Sequence, residues 1–323
     1  MNNKKILVTG GAGFIGSHLT RRLLELGAEV SVIVKYKSIV DNVRLSSIWD
    51  DIEIIESDLR NLDSLKQLKS KNYDIVFHLA AYNHVGDSFL HVNESLTSNT
   101  VATANLFESV SEYNRFVYTA TSEVYGFQDS VPFNEEFMPF PISPYAIGKY
   151  GGELYARMKR HQTNKDIVCI RPFNTFGPYQ SDRAIIPEII IKCLRGLPIE
   201  TTEGKQTREF NYIDNIIDGF IKISEVNPSP KDPINIGMNK EIAIRDLVKK
   251  IHNISNSSSE LKIGSLSDRE TEIWRMYSDN SKAKEILGWS PLVSFDEGLQ
   301  KTIKWFEEYL NVYYDHNSKL NKL

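Results

Sequence analysis

The chain has few cysteines and no excess of basic residues. Cys169 and Cys193 are the only cysteines among its 323 residues and lack metal-ligand spacing, so neither a disulfide framework nor a zinc site is indicated, and both thiols are expected in the core. The 38 basic and 42 acidic residues give a net charge of −4, so no overall positive field would recruit nucleic acid or an anionic membrane. We therefore predict no metal, no nucleic-acid partner and no membrane partner.

Long apolar runs are also missing. None approaches the length of a membrane span, and the run in the opening segment MNNKKILVTG is too short for a signal peptide. A reducing, cytoplasmic location is the resulting expectation. The composition, 41% hydrophobic and 25% charged, is that of an ordinary soluble globular protein. The length suggests either two domains or one large domain with a smaller lobe.

What the first half does contain is a regular alternation of strand-like and helix-like segments. The strand-like runs are KKILVT, EVSVIV, IEIIES, DIVFHLA, RFVYTAT and DIVCIRP. Helical patterns intervene at about 14–26, 61–71, 95–113 and 144–163. Strands separated by helices predict the α/β class with a doubly wound parallel sheet, whose ligands bind at the carboxyl ends of the strands.

Beyond about residue 172 prolines interrupt the alternation, which predicts a smaller α/β lobe grown from loops. The expected division is a dinucleotide-binding domain over 1–172, with some later segments returning to it, and a lobe over 173–323. Within that lobe DNSKAKEILGWSP predicts a short helix ending at Gly288. The segment FDEGLQKTIKWFEEYL predicts a last amphipathic helix whose apolar face is either core or a dimer contact.

The stretch VTGGAGFIGSHL places Gly10, Gly13 and Gly16 between the first strand and the first helix. A strand that turns on glycines into a helix presents free N–H groups and a positive dipole end to a phosphate. The turn therefore predicts a pyrophosphate site, with Gly16 allowing the helix and strand to pack closely. Glycines also punctuate ordinary turns, so this motif alone is weak.

In PISPYAIGKYGGELYA, Ser143 is a plausible N-cap and Pro144 a first-turn proline. Tyr145 and Lys149 then share one helix face. A nearby ammonium favours the phenolate of a tyrosine, so the pair could take a proton from an alcohol whose carbon gives up hydride. The alternative is an ordinary surface tyrosine and lysine.

The strand FVYTATSEVYG ends in Thr121, Ser122 and Glu123, at the edge of the sheet where ligands are expected. A buried carboxylate with a raised pKa could act there as a general base. The alternative is a helix N-cap cluster in which Glu123 only complements a helix dipole.

GGAGFIG, TSEVYG, YAIGK and RPFNTFGP, in this order, resemble the extended short-chain dehydrogenase/reductase family of nucleotide-sugar epimerases, dehydratases and decarboxylases. The resemblance runs from Lys4 to the helix near Leu310. It implies a Rossmann domain holding the dinucleotide and a C-terminal lobe holding a nucleoside diphosphate sugar. It also implies a hydride-transfer triad of Thr121, Tyr145 and Lys149.

The same resemblance implies the residues that surround each ligand. Those expected at the dinucleotide are Gly10, Gly13, Phe14, Ile15, Gly16, Asp58, Leu59, Leu79, Ala80, Ala81, Tyr145, Lys149 and Pro172, with Asp58 and Leu59 by the adenine and Pro172 by the nicotinamide. Those expected at the sugar nucleotide are His84, Ser88, Asn174, Arg183, Arg208 and Arg269, although His84 has a structural role as its alternative.

Glu123 discriminates within this family, because epimerases commonly have a small residue there and 4,6-dehydratases carry Thr-Asp-Glu or Thr-Ser-Glu. AAYNHVGDSF is similar to the dehydratases' pattern, and RPFNTFGPYQSDRAIIP is similar to dehydratases acting on nucleotide-linked N-acetylglucosamine. Ser122 departs from the dTDP-glucose type, which has an aspartic acid there to protonate the leaving hydroxyl. Glu123 is therefore expected to do both proton transfers in a 4,6-dehydration.

The second strand ends in VIVKYKS, with Val34 where NAD-type relatives place an aspartate. Basic residues suit a 2′-phosphate, so Lys35, Lys37 and Ser38 favour NADP over NAD, tightly bound and recycled. The alternative is a solvated loop.

Three other functions stay open at this point, together with an expected homodimer. A UDP-glucuronate decarboxylase shares TSEVYG, although it typically has an arginine where this chain has Tyr179. A sugar C4 epimerase is the second rival. A non-catalytic dinucleotide sensor is the third, and it would need none of Tyr145, Lys149 and Glu123.

Overall fold

The computed structural model describes residues 1–35, 43–267 and 272–320. Its strands are β1 Lys5–Thr9, β2 Glu29–Val34, β3 Glu53–Glu56, β4 Asn72–His78, β5 Glu112–Thr119, β6 Ile167–Pro172, β7 Thr175–Phe176, β8 Ile199–Thr201, β9 Thr207–Arg208, β10 Asn211–Tyr212, β11 Ile234–Ile236, β12 Ile242–Ala243, β13 Leu261–Ile263 and β14 Arg275–Met276. Its α-helices are α1 Phe14–Glu25, α2 Val85–Ser88, α3 Val92–Leu96, α4 Ala102–Ser109, α5 Pro144–Thr163, α6 Ile185–Arg195, α7 Ile213–Glu225, α8 Ile244–Ile254, α9 Ser281–Leu287 and α10 Phe295–Leu320.

Seven strands form the main sheet, in the order β11-β6-β5-β4-β1-β2-β3, and every pair is parallel. Helices α1 and α7 cover one face, and α4 and α5 cover the other, so the apolar strands are buried on both sides. The predicted doubly wound Rossmann sheet is confirmed, because all six predicted strands are present. The seventh, β11, comes from the later part of the chain.

Shorter strands build the second layer of structure beside the carboxyl ends of this sheet. β10 pairs with β7, β9 lies between β12 and β14, and β13 pairs with β8. β7 follows β6 after two residues, so the chain leaves the main sheet directly into this region. Of the cavities described below, the second is lined by residues of the main sheet and by the start of this region.

Helix α5 starts as the sequence predicts. Ser143 has extended backbone angles and its hydroxyl accepts a hydrogen bond of 3.1 Å from the Ala146 amide, while Pro144 occupies the first turn. Asn164, in the left-handed conformation, ends the helix. α9 similarly ends at Gly288 in the left-handed conformation.

The helix predicted over 61–71 is wrong, since only a 3₁₀ turn, Lys66–Leu68, forms there. Asn61 accepts from the Asp63 amide, and the following amides bond three residues back rather than four. Short polar side chains that bond their neighbouring backbone compete with an α-helix, which explains the tighter turn.

The helix predicted over 95–113 is instead α3, a π-helical segment Thr97–Val101 and α4, and residues 112 and 113 already belong to β5. The last helix, α10, buries Leu299, Ile303 and Phe306 completely or nearly so. Its apolar face is therefore core of this chain, the first of the two alternatives.

Candidate active site

The turn between β1 and α1 is closed by glycines that no other residue could replace. Gly10 has φ +71°, and a Cβ there would lie 2.7 Å from the Ala80 nitrogen. A Cβ on Gly16 would lie 2.1 Å from the Gly10 carbonyl oxygen. The first turn of α1 is thereby held against the end of β1, with its unbonded amides directed outward at the carboxyl end of the sheet.

A cavity of about 370 Å³ runs from this turn along the ends of β2, β3 and β4. It is lined by the predicted dinucleotide residues Gly10, Gly13, Lys35, Asp58, Leu59, Leu79, Ala80 and Ala81, and by Ala12, Ile33, Val34, Ser57, Arg60, Tyr82, Asn83, Glu94, Ser98 and Ala102. An apolar floor with a glycine turn at one end and polar groups at the rim fits an adenosine and its pyrophosphate.

Four charged side chains close the outer rim of this cavity. The Arg60 guanidinium donates to both oxygens of Asp58, from Nε at 3.0 and 3.2 Å and from Nη2 at 2.7 Å, and its Nη1 reaches Glu94 at 3.1 Å. The hydrogen bonds from Arg60 lower the pKa of Asp58 to about 2, and Lys35 contributes to the same effect. The rim therefore carries two carboxylates, Asp58 and Glu94, and two cations, Arg60 and Lys35.

A second cavity, of about 230 Å³, continues from the glycine turn to the start of α5. It brings together the predicted residues Gly10, Gly13, Phe14, Ile15, Gly16, Leu79, Ala81, Thr121, Ser122, Tyr145, Lys149, Pro172 and Asn174. Segments far apart in the sequence, β1, β5, α5 and β6, thus meet at one carboxyl-terminal edge, as expected for a parallel sheet.

Tyr145 and Lys149 lie on the face of α5 that looks into this cavity. Burial raises the pKa of Tyr145 to about 12; the hydrogen bond with Thr121 partly offsets this, and the Glu123 carboxylate raises the pKa further. Burial lowers the pKa of Lys149 to about 7, opposed by the charge of Glu153. The sequence predicts that the ammonium lowers the tyrosine pKa, whereas in the structure desolvation is the larger effect on both groups.

Lys149 is fixed by its surroundings on α5 and β5. Its ammonium lies 4.9 Å from the centre of the Tyr118 ring, and the Tyr118 hydroxyl donates to the Lys149 carbonyl oxygen at 2.8 Å. A cation over an aromatic face is stabilised electrostatically in a desolvated site. The side chain is thus held in place for a role that needs an exact position.

The turn after β5 carries the three polar residues of TSE. Thr121 caps a 3₁₀ turn, Ser122–Val124, by accepting a hydrogen bond of 3.3 Å from the Glu123 amide. Ser122 is buried, and its hydroxyl points to the Met276 sulfur at 3.9 Å. Glu123 is half-buried and, unlike Thr121 and Ser122, is not part of the lining of the second cavity. Its negative charge nevertheless contributes to raising the pKa of Tyr145.

A third cavity, of about 520 Å³, lies in the C-terminal part of the chain and shares Asn174 and Thr175 with the second. Its other lining residues are Phe176, Gln180, Ala184, Ile185, Ile186, Thr202, Gln206, Arg208, Phe210, Ile244, Leu266, Ser267 and Glu272. Within it the Arg208 guanidinium pairs with the Glu272 carboxylate and donates to the Ile273 carbonyl oxygen at 2.6 Å. The second and third cavities are therefore neighbours, with Asn174 and Thr175 between them, and the third contains a partly buried arginine.

Residues 7–302 match the family model described as GDP-mannose 4,6 dehydratase. The chain belongs to this family. Its sequence is 31% identical to human dTDP-D-glucose 4,6-dehydratase, over 94% of this chain and 90% of that one. It is 33% identical to UDP-glucuronic acid decarboxylase 1 of Xenopus tropicalis, over 96% of this chain and 73% of that one.

The same family relation is visible in three dimensions. The dTDP-glucose 4,6-dehydratase of Streptomyces venezuelae, solved with NAD and TDP bound, superposes with a TM-score of 0.88 at 28% identity, covering 97% of this chain and 99% of that one. Such proteins are extended short-chain dehydrogenases/reductases, so this family member belongs to the NAD-dependent sugar-nucleotide enzymes.

Three predicted substrate residues of this dehydratase-family chain lie outside the three cavities. His84 caps α2 by accepting from the Asp87 amide at 3.0 Å, which is the structural role left open as its alternative. The Ser88 hydroxyl is buried and donates to the Val85 carbonyl oxygen at 2.6 Å. Arg183 is exposed and pairs with Asp87 at 2.6 Å. Ligand contacts by these residues stay predictions.

Lys37, Ser38 and Arg269 lie outside the described residues. Within the described ranges, no group of three or more His, Cys, Asp or Glu side chains could hold a metal ion. No helix in those ranges is both long and apolar enough to cross a bilayer. Cys169 and Cys193 are free and buried.

Sequence reasoning missed the charged partners that surround the site. Arg60 lies two residues after Asp58, and Glu153 lies four residues after Lys149 on the same face of α5. The spacing of Glu153 could have been noticed, because a carboxylate one turn after a buried lysine compensates its charge. The partner of Glu153, Arg171 on β6, could not, because only the folded sheet brings them together.

Proposed function

We propose that this chain is a nucleotide-sugar 4,6-dehydratase that converts an NDP-hexose into the NDP-4-keto-6-deoxy sugar, with GDP- or UDP-N-acetylglucosamine as the candidate substrates. The observation that carries the proposal is the position of Glu123, which directly follows Thr121 and Ser122, two residues that line one cavity with Tyr145 and Lys149. The charge of its carboxylate also contributes to raising the pKa of Tyr145. An oxidation at C4 needs only Tyr145 and Lys149, so a second proton-transfer group beside them supports a further step.

The first step falls to the groups on α5. Tyr145 takes the proton of the C4 hydroxyl, and Lys149, held over the Tyr118 ring, stabilises the phenolate that does so. The 4-keto sugar that results has an acidic C5 proton.

The second step falls to Glu123. Its carboxylate removes the C5 proton and delivers it to the C6 hydroxyl, which departs as water. A serine hydroxyl is too weak an acid for this transfer, and that of Ser122 lies 3.9 Å from the Met276 sulfur. A bound NAD(P) would supply the acceptance of the C4 hydride and its return to C6. As the hydride returns, C5 takes up a proton from solvent, so the product is the substrate less one water and the net redox change is zero.

The chamber beyond Asn174 suits the nucleotide half of the substrate. Arg208 is the cation for the diphosphate in this proposal, because a guanidinium binds phosphate oxygens through paired N–H donors. In the structure its guanidinium pairs with the Glu272 carboxylate. Asn174 and Thr175 line both cavities, which supports a sugar lying between the chamber and Tyr145.

Tyr179 argues against the decarboxylase. Its ring lies 4.7 Å from that of Trp305 and carries the Arg21 guanidinium at 4.8 Å, and its carbonyl oxygen accepts from Arg44 at 2.9 Å. The position is thus used for packing the loop onto α1 and α10. The nearby cation Arg183 is paired with Asp87, which leaves a substrate carboxylate less favoured there.

The proposal is tested by mass spectrometry of the products made from GDP-N-acetylglucosamine, UDP-N-acetylglucosamine, dTDP-glucose and UDP-glucuronate. We expect one of the three nucleotides that carry an uncharged sugar to lose one water. Loss of carbon dioxide from UDP-glucuronate would identify a decarboxylase, and a product of unchanged mass with a new retention time would identify an epimerase. A protein that binds dinucleotide and converts none of the four would be the sensor.

For the cofactor we propose NADP, with NAD as the alternative. Val34 leaves the end of β2 without a carboxylate for the ribose 2′-hydroxyl, and Lys35 is exposed at the rim of the first cavity. The influence of Lys35 on the pKa of Asp58 supports a cationic rim. We propose that Lys37 and Ser38 also bind the 2′-phosphate of NADP.

The purified protein is expected to release NADP(H) on denaturation, and Lys35→Asp to shift the binding preference toward NAD by about tenfold or more, because a carboxylate there repels a 2′-phosphate. Dissociation constants for NAD and NADP from fluorescence titration measure the shift. Lys69→Asp, an exposed position outside the cavity lining, is the control. Recovery of NAD alone from the native protein would contradict the NADP proposal.

We further propose a homodimer in a reducing, cytoplasmic location. Ile147, Leu154 and Met158 form an exposed apolar stripe along α5, beside Val101 of the π-helical segment. A second copy of the chain could cover these residues by a two-fold arrangement of the same face. This proposal requires sedimentation at twice the 36.9 kDa chain mass.

The two free, buried thiols fit the proposed reducing, cytoplasmic location.

A further inference from the structure

A buried ionic cluster connects α5 with the turn that carries Glu123. The Arg171 guanidinium on β6 donates to both oxygens of Glu153 on α5, from Nε at 2.9 Å and from Nη2 at 2.6 Å. Its Nη1 donates to the Tyr125 hydroxyl at 2.9 Å. All three side chains are essentially inaccessible to solvent. We call these residues, Glu153, Arg171 and Tyr125, the buried triad.

Glu153 and Tyr125, the two ends of the buried triad, lie close in sequence to the groups proposed for the two chemical steps. Glu153 is one helical turn after Lys149, and Tyr125 directly follows the Ser122–Val124 turn. The Tyr125 amide donates to the Ser122 carbonyl oxygen at 3.1 Å, so the position of Tyr125 is tied to that of the turn.

Further bonds fix Tyr125 from the other side. Its hydroxyl donates to Asn235 Oδ1 on β11 at 2.7 Å, and Asn235 Nδ2 donates to the Phe133 carbonyl oxygen at 3.0 Å. The Arg171 guanidinium also lies 4.9 Å from the centre of the Tyr125 ring. The ring is therefore held at its hydroxyl and on its face.

A buried ion pair usually gives little net stability compared with a well-packed apolar substitute, because desolvating two charges is costly. Its hydrogen bonds do, however, allow few arrangements of the groups that make it. Two groups that act in sequence on one sugar must each be held to within about 0.5 Å of their productive positions. The buried triad, which connects α5 with the turn that carries Glu123, would restrict the relative positions of the two groups in this way.

We propose that Tyr125 is a positioning residue, which, through Arg171 and Glu153, holds the turn carrying Glu123 in register with Tyr145 and Lys149 on α5. It touches neither substrate nor cofactor in this role. The inference rests on the proposed dehydration, in which Glu123 carries out a second proton-transfer step after the oxidation by Tyr145 and Lys149. Loss of the Tyr125 hydroxyl should impair elimination and spare oxidation.

The test compares wild type, Tyr125→Phe and the control Tyr155→Phe with GDP- and UDP-N-acetylglucosamine. Tyr155 also lies on α5, but its hydroxyl donates to Glu108 at the surface. Two readouts are taken: the absorbance of reduced nicotinamide in a single turnover, and the exchange of the C5 hydrogen with deuterated water. Dehydrated product and KM are measured in the same series.

Tyr125→Phe is expected to keep the KM within about twofold and to reduce the nicotinamide at close to the wild-type rate, while C5 exchange and product formation fall about tenfold or more. Tyr155→Phe should match the wild type in every readout. Equal slowing of both steps by Tyr125→Phe, or no slowing of either, would overturn the positioning role.

If Tyr125→Phe does not fold, Asn235→Ala is carried through the same measurements, since it removes the acceptor of the Tyr125 hydroxyl and leaves the buried ion pair in place. The same split between the two steps is expected, and its absence contradicts the inference. A wild-type protein that forms no dehydrated product contradicts the proposed function instead. A wild type that dehydrates, with a variant that behaves identically, contradicts only the positioning role.

Discussion

Glu123→Gln should lower the formation of dehydrated product at least about a hundredfold, the usual scale for removing a proton-transfer group. The amide keeps the size of the side chain but can neither remove the C5 proton nor deliver one to the C6 hydroxyl. Oxidation at C4 does not use Glu123, so substrate should still bind, and reduced cofactor should accumulate together with a 4-keto sugar. The absorbance of reduced nicotinamide measures the oxidation at C4, and the product mass measures the elimination of water.

Isotopes make this expectation sharper. In deuterated water the wild type should incorporate one deuterium at C5 and carry the original C4 hydrogen at C6, since the hydride never leaves the site. Glu123→Gln should show no exchange at C5. Glu135→Gln is a suitable control, because Glu135 is also largely buried near the same turn, where it accepts from the Asn235 amide at 2.7 Å. If Glu123→Gln dehydrates at the wild-type rate, the assignment of Glu123 to the elimination step is wrong. If the wild type forms no product lighter by one water, the dehydratase proposal fails and the epimerase replaces it.

The parts of the fold that are encoded locally could be predicted from the sequence. Ser143 and Pro144 specify the start of α5 through a side-chain cap and a fixed backbone angle, and Gly288 specifies the end of α9 through a left-handed conformation. Gly10 and Gly16 mark a turn too tight for a side chain. Each of these signals acts within a few residues, so it can be recognised without knowing the rest of the structure.

Features that depend on distant segments could not be predicted. β11 is three residues long in a proline-rich region, and only its hydrogen bonds to β6 make it a strand of the main sheet. The segment over 61–71 has apolar residues at helical spacing, yet local bonds from polar side chains gave a 3₁₀ turn. Periodicity indicates which side faces the core but does not exclude a competing turn.

The candidate site shows the same division. Tyr145, Lys149, Thr121 and the glycine turn line one cavity because the topology of a parallel sheet brings strand ends together. The partners of the predicted arginines were not foreseen. Arg208 pairs with Glu272, 64 residues away, and Arg183 with Asp87, 96 residues away. Such pairs depend on how the two parts of the chain pack, which no local pattern records.

Tyr145→Phe should stop the reaction one step earlier than Glu123→Gln. Without the phenol no group takes the C4 hydroxyl proton, so turnover should fall by a factor of about a hundred or more while sugar-nucleotide affinity stays nearly unchanged. The ring still fills the buried space at the start of α5, and Lys149 keeps its contact with Tyr118. Stopped-flow absorbance should detect no accumulated reduced cofactor.

The two variants therefore separate the steps by opposite signatures. Glu123→Gln is expected to fill the site with reduced cofactor and a 4-keto sugar, whereas Tyr145→Phe should leave both cofactor and sugar in their starting states. Tyr155→Phe, on the same helix with its hydroxyl on Glu108, controls for loss of a phenol from α5. Near-normal turnover by Tyr145→Phe would rule out its assignment as the base. A Tyr145→Phe protein that accumulates reduced cofactor would assign proton removal at C4 to another group, and Glu123, whose charge already reaches the phenol, would be the first to examine.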